Sequence, residues 1–324
     1  MIIQTGNRTD IPAFYARWFA NRLKEGYVLV RNPFNPQSVT RYILDPSVVE
    51  LIVFCSKNLA PMLEYMDLLK NWRQYWFVTI TPYGKDIEPN VPDKKYVMET
   101  FRKISSVVGP DNMCWRYDPI FIDETWTVER HLEAFRDMCE VLAGSTKTAV
   151  ISFLDLYEKV KRNFPEGKTV PFQTQLSMTG ALVKIAKEYD MTVKPCGESP
   201  QLSSVGADCS GCMTQKVFET AIGQNLLLPP NPKNRKECAC YITGDIGAYN
   251  TCRHFCRYCY ANTDRRIVAL SARQHDPDSP LLIGHLQPDD KISQPKQVSW
   301  IDPQMRLDLG DQGTTDQTDQ GTVL

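Results

Sequence analysis

No apolar run in this chain approaches the ~20 residues that a membrane-crossing helix needs, so the sequence offers no helical membrane anchor. Charge of one sign is not in excess either. Its 37 Lys and Arg against 38 Asp and Glu leave a net charge of -1, which gives no general field for drawing in polyanions, so nucleic acid is not favoured as a partner. No secretory leader is expected, because residues 1–3 lead quickly into polar GNRTD, and a cytoplasmic location is expected. A Gly-rich dinucleotide fingerprint is missing too, which argues against an open nucleotide-binding sheet. Histidine is scarce, four in the whole chain, and neither His275 nor His285 has a partner at metal-type spacing.

What the chain does have is cysteine, eleven in all. Without a leader these point to metal ligation and not to disulfides, since reducing compartments keep thiols free. Cys55, Cys114 and Cys139 are scattered, whereas the other eight fall between 196 and 259. The densest stretch is 245–262 (DIGAYNTCRHFCRYCYAN), where Cys252, Cys256 and Cys259 are spaced C-x3-C-x2-C. Three thiolates from one tight loop suit a 4Fe-4S cubane with one iron left open to an exogenous ligand, whereas clusters that only carry electrons use four cysteines. Two other readings stay open: tetrahedral zinc with His254 or a more distant cysteine as fourth ligand, and a disulfide framework.

Five further cysteines precede that loop, in PCGES, DCSGC and ECAC. Cys196, Cys212, Cys238 and Cys240 are expected to hold an auxiliary 4Fe-4S cluster, with Cys209 spare or substituting for Cys212. Structural zinc is the rival, because C-x2-C and C-x-C at long intervals suit four thiolates around one ion.

The rest of the chain alternates β-type runs with helical patterns. Strands are expected at 2–4, 27–30, 49–55, 76–81, 112–117, 149–153 and 191–194, with helices after Asp10 and at 100–107, 129–142, 182–189 and 263–272. A further short strand is expected in SPLLIGHL. Such alternation predicts a parallel sheet, and this many units predicts an α/β fold of TIM-like (β/α) barrel type, complete or partial. The expected organisation is the main barrel over 1–195, a continuous cysteine-rich region over 196–307 covering the barrel mouth, and a disordered polar tail over 308–324.

In such barrels functional groups collect at the carboxyl ends of the strands. Those ends carry Arg8 and Asp10, Lys57 and Asn58, Tyr83, Arg116 and Asp118, Asp155 and Glu198. Each has a plainer reading: Arg116 and Asp118 as a rim ion pair, Asp10 as a helix cap, Lys57 as a solvated charge.

The phrases NRTDIPAFY, VLVRNPFNP, VTITPYGKDIEPNVP, WRYDPI and DPDSPLLIG, together with 245–262, resemble an uncharacterised bacterial family catalogued as domain of unknown function 1848. C-x3-C-x2-C with an aromatic before the last cysteine, here Tyr258, resembles the cluster loop of radical S-adenosylmethionine (SAM) enzymes, and WRYDP resembles a barrel strand of spore photoproduct lyase. This resemblance implies a cluster whose open iron chelates SAM and whose reduction releases a 5'-deoxyadenosyl radical. It also implies adenine against Tyr258, and a cellular reductant such as flavodoxin or ferredoxin. Arg116, Asp118 and Glu198 are then candidates for catalysis, and Lys57 and Tyr83 for cofactor contacts, on an unknown substrate. The loop arrives late in the chain, whereas in those enzymes it follows the first strand. Alternatives are a SAM-dependent aminocarboxypropyl transferase and a non-catalytic iron-sulfur or zinc protein.

Overall fold

Alternating apolar residues in the β-type runs give two buried faces to one parallel sheet. The computed structural model describes residues 1–230, 238, 240–241 and 244–304; the tail expected at 308–324 lies outside them. In chain order the elements are β1 (Ile2–Gln4), α1 (Ile11–Phe14), α2 (Ala16–Glu25), β2 (Tyr27–Arg31), β3 (Ser38–Ile43), β4 (Leu51–Ser56), α3 (Met66–Leu69), β5 (Gln74–Thr79), α4 (Lys94–Val108), β6 (Met113–Ile120), α5 (Val128–Leu142), β7 (Thr148–Phe153), α6 (Glu158–Asn163), α7 (Phe172–Lys187), β8 (Thr192–Pro195), α8 (Gln215–Ile222), β9 (Gly244–Asp245), α9 (Arg265–Arg273) and β10 (Lys291–Ser293). Polar side chains start α4, α5 and α9: Asp93 accepts from Lys95 N, Thr127 from Arg130 N and Asp264 from Arg266 N and Ile267 N. Each satisfies backbone donors that have no partner inside the helix.

Seven strands form the main sheet in the order β8-β7-β6-β5-β4-β1-β9, and every pairing in it is parallel. Ile52, Phe54, Trp76, Val78, Trp115 and Ile151 point to one face, where Phe19, Phe101, Phe135 and Leu182 of α2, α4, α5 and α7 cover them. The alternate residues Leu51, Val53, Tyr75, Phe77, Cys114 and Val150 point to the other face, under Phe218 and Ile222 of α8. This two-residue alternation is what a strand buried on both faces requires.

Three expectations need correction. A complete barrel does not form among the described residues: no hydrogen bonds join β8 to β9. Between them the chain lays α8 and the cysteine-rich segment across the second face instead of adding strands to it. The strand at 27–30 exists but leaves the main sheet, because it pairs antiparallel with β3, and β3 in turn takes β10. In SPLLIGHL only an isolated bridge from Leu281 to Leu29 forms. No helix among the described residues is long and apolar enough to cross a membrane. Among the described residues no two cysteines are joined in a disulfide, so the disulfide framework does not form there.

Candidate metal centre

The 252–259 loop hangs from β9, whose pairing with β1 sets it beside the carboxyl ends of β1, β4 and β5. The base of the loop is tied shut: the Asn262 side-chain amide donates to Cys252 O at 2.8 Å, and Asn250 Oδ1 accepts from Thr263 N. Inside it Cys259 N donates to Cys256 O at 3.1 Å. Phe255 sits at φ 57°, a left-handed conformation costly for a bulky residue and characteristic of constrained sites. Loops after other strands grip it from outside. Arg257 N donates to Ile87 O, Asn90 N to His254 O, Asn90 Nδ2 to Arg253 O and Tyr15 OH to Thr251 O. Tyr260 OH reaches Asn7 O, and Lys159 Nζ reaches Ala261 O. Close approach matters under the loop too. At Gly6 a Cβ would lie 2.5 Å from the Cys55 carbonyl oxygen, so only glycine fits the turn after β1.

Burial pushes the thiols of Cys252, Cys256 and Cys259 above their ordinary range, with Lys57 pulling Cys256 and Cys259 the other way. The three thiols lie within one another's fields. Buried thiols of this kind stay protonated until a cation displaces the proton, which suits a metal or cluster and does not suit a free nucleophile. His254 is committed elsewhere: Nε2 meets Asp10 Oδ2 at 2.8 Å and Nδ1 meets Asn90 O at 3.3 Å. Both of its nitrogens are thus occupied by oxygen partners. Asp10 is more than a cap, since it accepts from Ala13 N, Lys57 N and His254. Among the described residues no three His, Cys, Asp or Glu side chains are set around a common point to hold a single ion. A cubane bonds each thiolate to a different iron, so its ligands stand wider apart than those of one ion.

Beside the loop lies a buried acid that sequence reasoning missed. Glu88 is 1% exposed. Its Oε1 accepts from Lys57 Nζ at 2.8 Å and Thr81 Oγ1 at 2.6 Å, and its carboxylate also takes Tyr258 OH and Lys94 Nζ. Burial opposes its ionisation, yet the two ammonium groups outweigh that and hold it down at about 2. Lys57 also lies 5.4 Å above the Tyr258 ring, a cation–π contact.

The remaining candidates divide. Arg116 Nε donates to Asp118 Oδ2 at 3.0 Å, and Ser152 Oγ donates to the same carboxylate; the rim ion pair is therefore present. The Glu198 carboxylate accepts from Phe153 N at 2.7 Å, and burial pushes it up to about 7. Tyr83 is walled in: its hydroxyl donates to Pro119 O and accepts from Phe121 N, with its ring 6.0 Å from that of Tyr258. The structure thus makes it a support behind Tyr258. In the second cysteine group Cys212 Sγ is 3.7 Å from Cys196 Sγ and 3.3 Å from Cys240 Sγ. The Cys238 thiol pairs with Cys240, and Cys209 packs partly against the main core.

The model of a domain of unknown function, DUF1848, matches residues 2–261. The chain belongs to the DUF1848 family. The matched stretch includes Cys252, Cys256 and Cys259 as well as Glu88, Arg116 and Cys196. No curated protein matches this DUF1848 chain. Glu88 escaped the sequence reading because its partners come from β4, α4 and the late loop. Its only signal was an acid wedged in the apolar, proline-flanked DIEPNVP after a strand.

Proposed function

We propose that this DUF1848 protein is a radical SAM-type enzyme whose 4Fe-4S cluster is held by Cys252, Cys256 and Cys259. The observation that supports this most is the trio itself: the buried thiol of Cys256 and the half-buried thiols of Cys252 and Cys259 on one constrained loop at the carboxyl edge of a parallel sheet, with the adjacent imidazole paired to oxygens of Asp10 and Asn90. Bound and reduced there, such a cluster supplies reductive cleavage of SAM and a 5'-deoxyadenosyl radical for hydrogen abstraction. The chain's own residues do the rest. Lys57 and Lys94 against Glu88 leave one net positive charge beside three thiolates, which stabilises their anionic form. Tyr258 is fixed through its hydroxyl to Glu88, so the ring and backbone next to Cys259 present a rigid surface for adenine. Tyr83, Phe121, Trp126 and Phe164 pack behind Cys256 and Tyr258 and exclude water, as control of a reactive species demands. Arg116, Asp118 and Glu198 are the polar groups in reach of substrate. The strand order, with the last strand beside the first, supports a partial (β/α) barrel. The electron enters from a small reductant of the flavodoxin or ferredoxin type.

The deciding experiment is anaerobic reconstitution with iron and sulfide, followed by SAM and dithionite with mass spectrometry of the products. 5'-Deoxyadenosine is expected from the wild type, with its yield falling at least a hundredfold in Cys256→Ala alongside loss of cluster absorbance. Methylthioadenosine would transfer the reading to an aminocarboxypropyl transferase, and neither product would leave a binding protein.

A further inference from the structure

Cys196, Cys212 and Cys240 meet on the face of the sheet opposite α4 and α5, packed with Phe218 and Ile222 of α8. Cys212 Sγ is 3.3 Å from Cys240 Sγ and 3.7 Å from Cys196 Sγ. These are direct sulfur contacts between residues 28 and 16 positions apart in the chain. Thiols this close have the chemistry of a dithiol: a pair can give up two electrons and two protons and be left joined by one covalent bond. From 3.3 Å the sulfurs close to the ~2.05 Å of a disulfide by turning side chains, whereas cysteines on elements held apart need the backbone to move.

The two nearest sulfurs differ in access and in surroundings. Cys212 is 2% exposed, whereas Cys240 is half-buried. Cys240 Sγ accepts from Met213 N at 3.3 Å, and the Cys238 thiol also bonds to it. Donors aimed at a sulfur favour its thiolate, which is the attacking form. On the other side Arg116 Nη1 lies 3.9 Å from Cys212 Sγ, and its positive charge favours the anion there too. The outer thiol is therefore the one that meets a reagent, and the inner one is placed to resolve the product.

We infer that Cys240 and Cys212 are a redox modification site that closes to a reversible disulfide by exchange with a small disulfide. In the first step the Cys240 thiolate attacks one sulfur of the small disulfide. That S–S bond breaks, a mixed disulfide forms on Cys240, and one small thiolate leaves with the electron pair. In the second step Cys212 gives its proton to solvent, its sulfur attacks Cys240 Sγ, and the second small thiolate is expelled. Two protein thiols and one small disulfide become one protein disulfide and two small thiols, so atoms and electrons balance. In a reducing compartment both cysteines rest as thiols, and the site closes as the small disulfide accumulates. The new bond shuts a loop that contains α8, which restricts the unfolded chain and stabilises the folded one.

The inference does not depend on the role proposed for the 252–259 loop. The test is to equilibrate the full chain anaerobically in buffers of reduced and oxidised glutathione, quench with an alkylating agent and map the peptides by mass spectrometry. A cross-link between Cys212 and Cys240 is expected, reversed by dithiothreitol, with a higher thermal midpoint while it is in place. It should form equally in a Cys252→Ala/Cys256→Ala/Cys259→Ala variant. Cys212→Ser should trap glutathione on Cys240, whereas Cys240→Ser should leave Cys212 unmodified. If either serine variant does not fold, the map of the wild type still decides. Alkylation of both cysteines at every glutathione ratio, a cross-link from Cys212 to Cys196, Cys209 or Cys238 in place of Cys240, or thiols that react only after a chelator has removed a bound metal, overturns the inference.

Discussion

Glu88 shows how much of the site rests on one carboxylate. Two lysines, a threonine and a tyrosine converge on it from four places in the sequence, and removing it strands two ammonium groups out of water. Breaking a buried pair in this way costs about 3–5 kcal/mol, so Glu88→Ala should lower the urea midpoint by that amount of stability. Loss of the exposed partner in the Glu158–Lys161 pair should leave the midpoint unchanged. The contrast also shows what the sequence could reveal at this scale. Cys252, Cys256 and Cys259 were legible because their geometry is set by spacing within one loop. Glu88 was not, because its charge partners are assembled only by the fold. The same limit applies to the second cysteine group, where spacing offers both metals.

Elements were readable where their pattern was long. Helices α4, α5 and α7 start upstream of the expected bounds or close to them, since the apolar face declares the helix before its cap does. The assignment of β2 to the main sheet failed for a different reason. A strand's own alternation says nothing of its partner, and RNPFNP turns the chain back to pair it with β3. Two-residue β9 was beyond the reach of any periodicity. One docking contact makes a prediction about α5. His131 is fully buried, its ring nitrogens meeting Tyr117 OH and Phe121 O at 2.8 Å each. Burial lowers its pKa below the ordinary 6.5, so the folded state favours the neutral ring. The unfolded chain then binds the proton more readily, and stability should be full above pH 6.5 and fall as pH drops through the lowered value. His131→Gln should flatten this dependence in thermal melts between pH 7.5 and pH 5, at some cost in stability at neutral pH.

For the molecule as a whole, helices cover one face of the sheet and a cysteine-rich segment covers the other. The first face was predictable from helical periodicity, whereas the second is covered by Phe218 and Ile222 of α8 with Cys212, Cys196 and Cys240 packed beside them, contacts that no periodicity announces.

The seat of β9 against β1 also fixes an order of events during synthesis. The walls of the candidate centre, made of residues before 165, leave the ribosome first, and β1 waits with one bare edge until residues 244 and 245 emerge. Tyr15, Asp10 and Asn90 likewise find Thr251, His254 and Arg253 only in the last quarter of translation. A nascent chain halted before that point has a nearly finished cradle and nothing to put in it, so on the proposed function the 252–259 thiols take up their cluster only after the scaffold is already made.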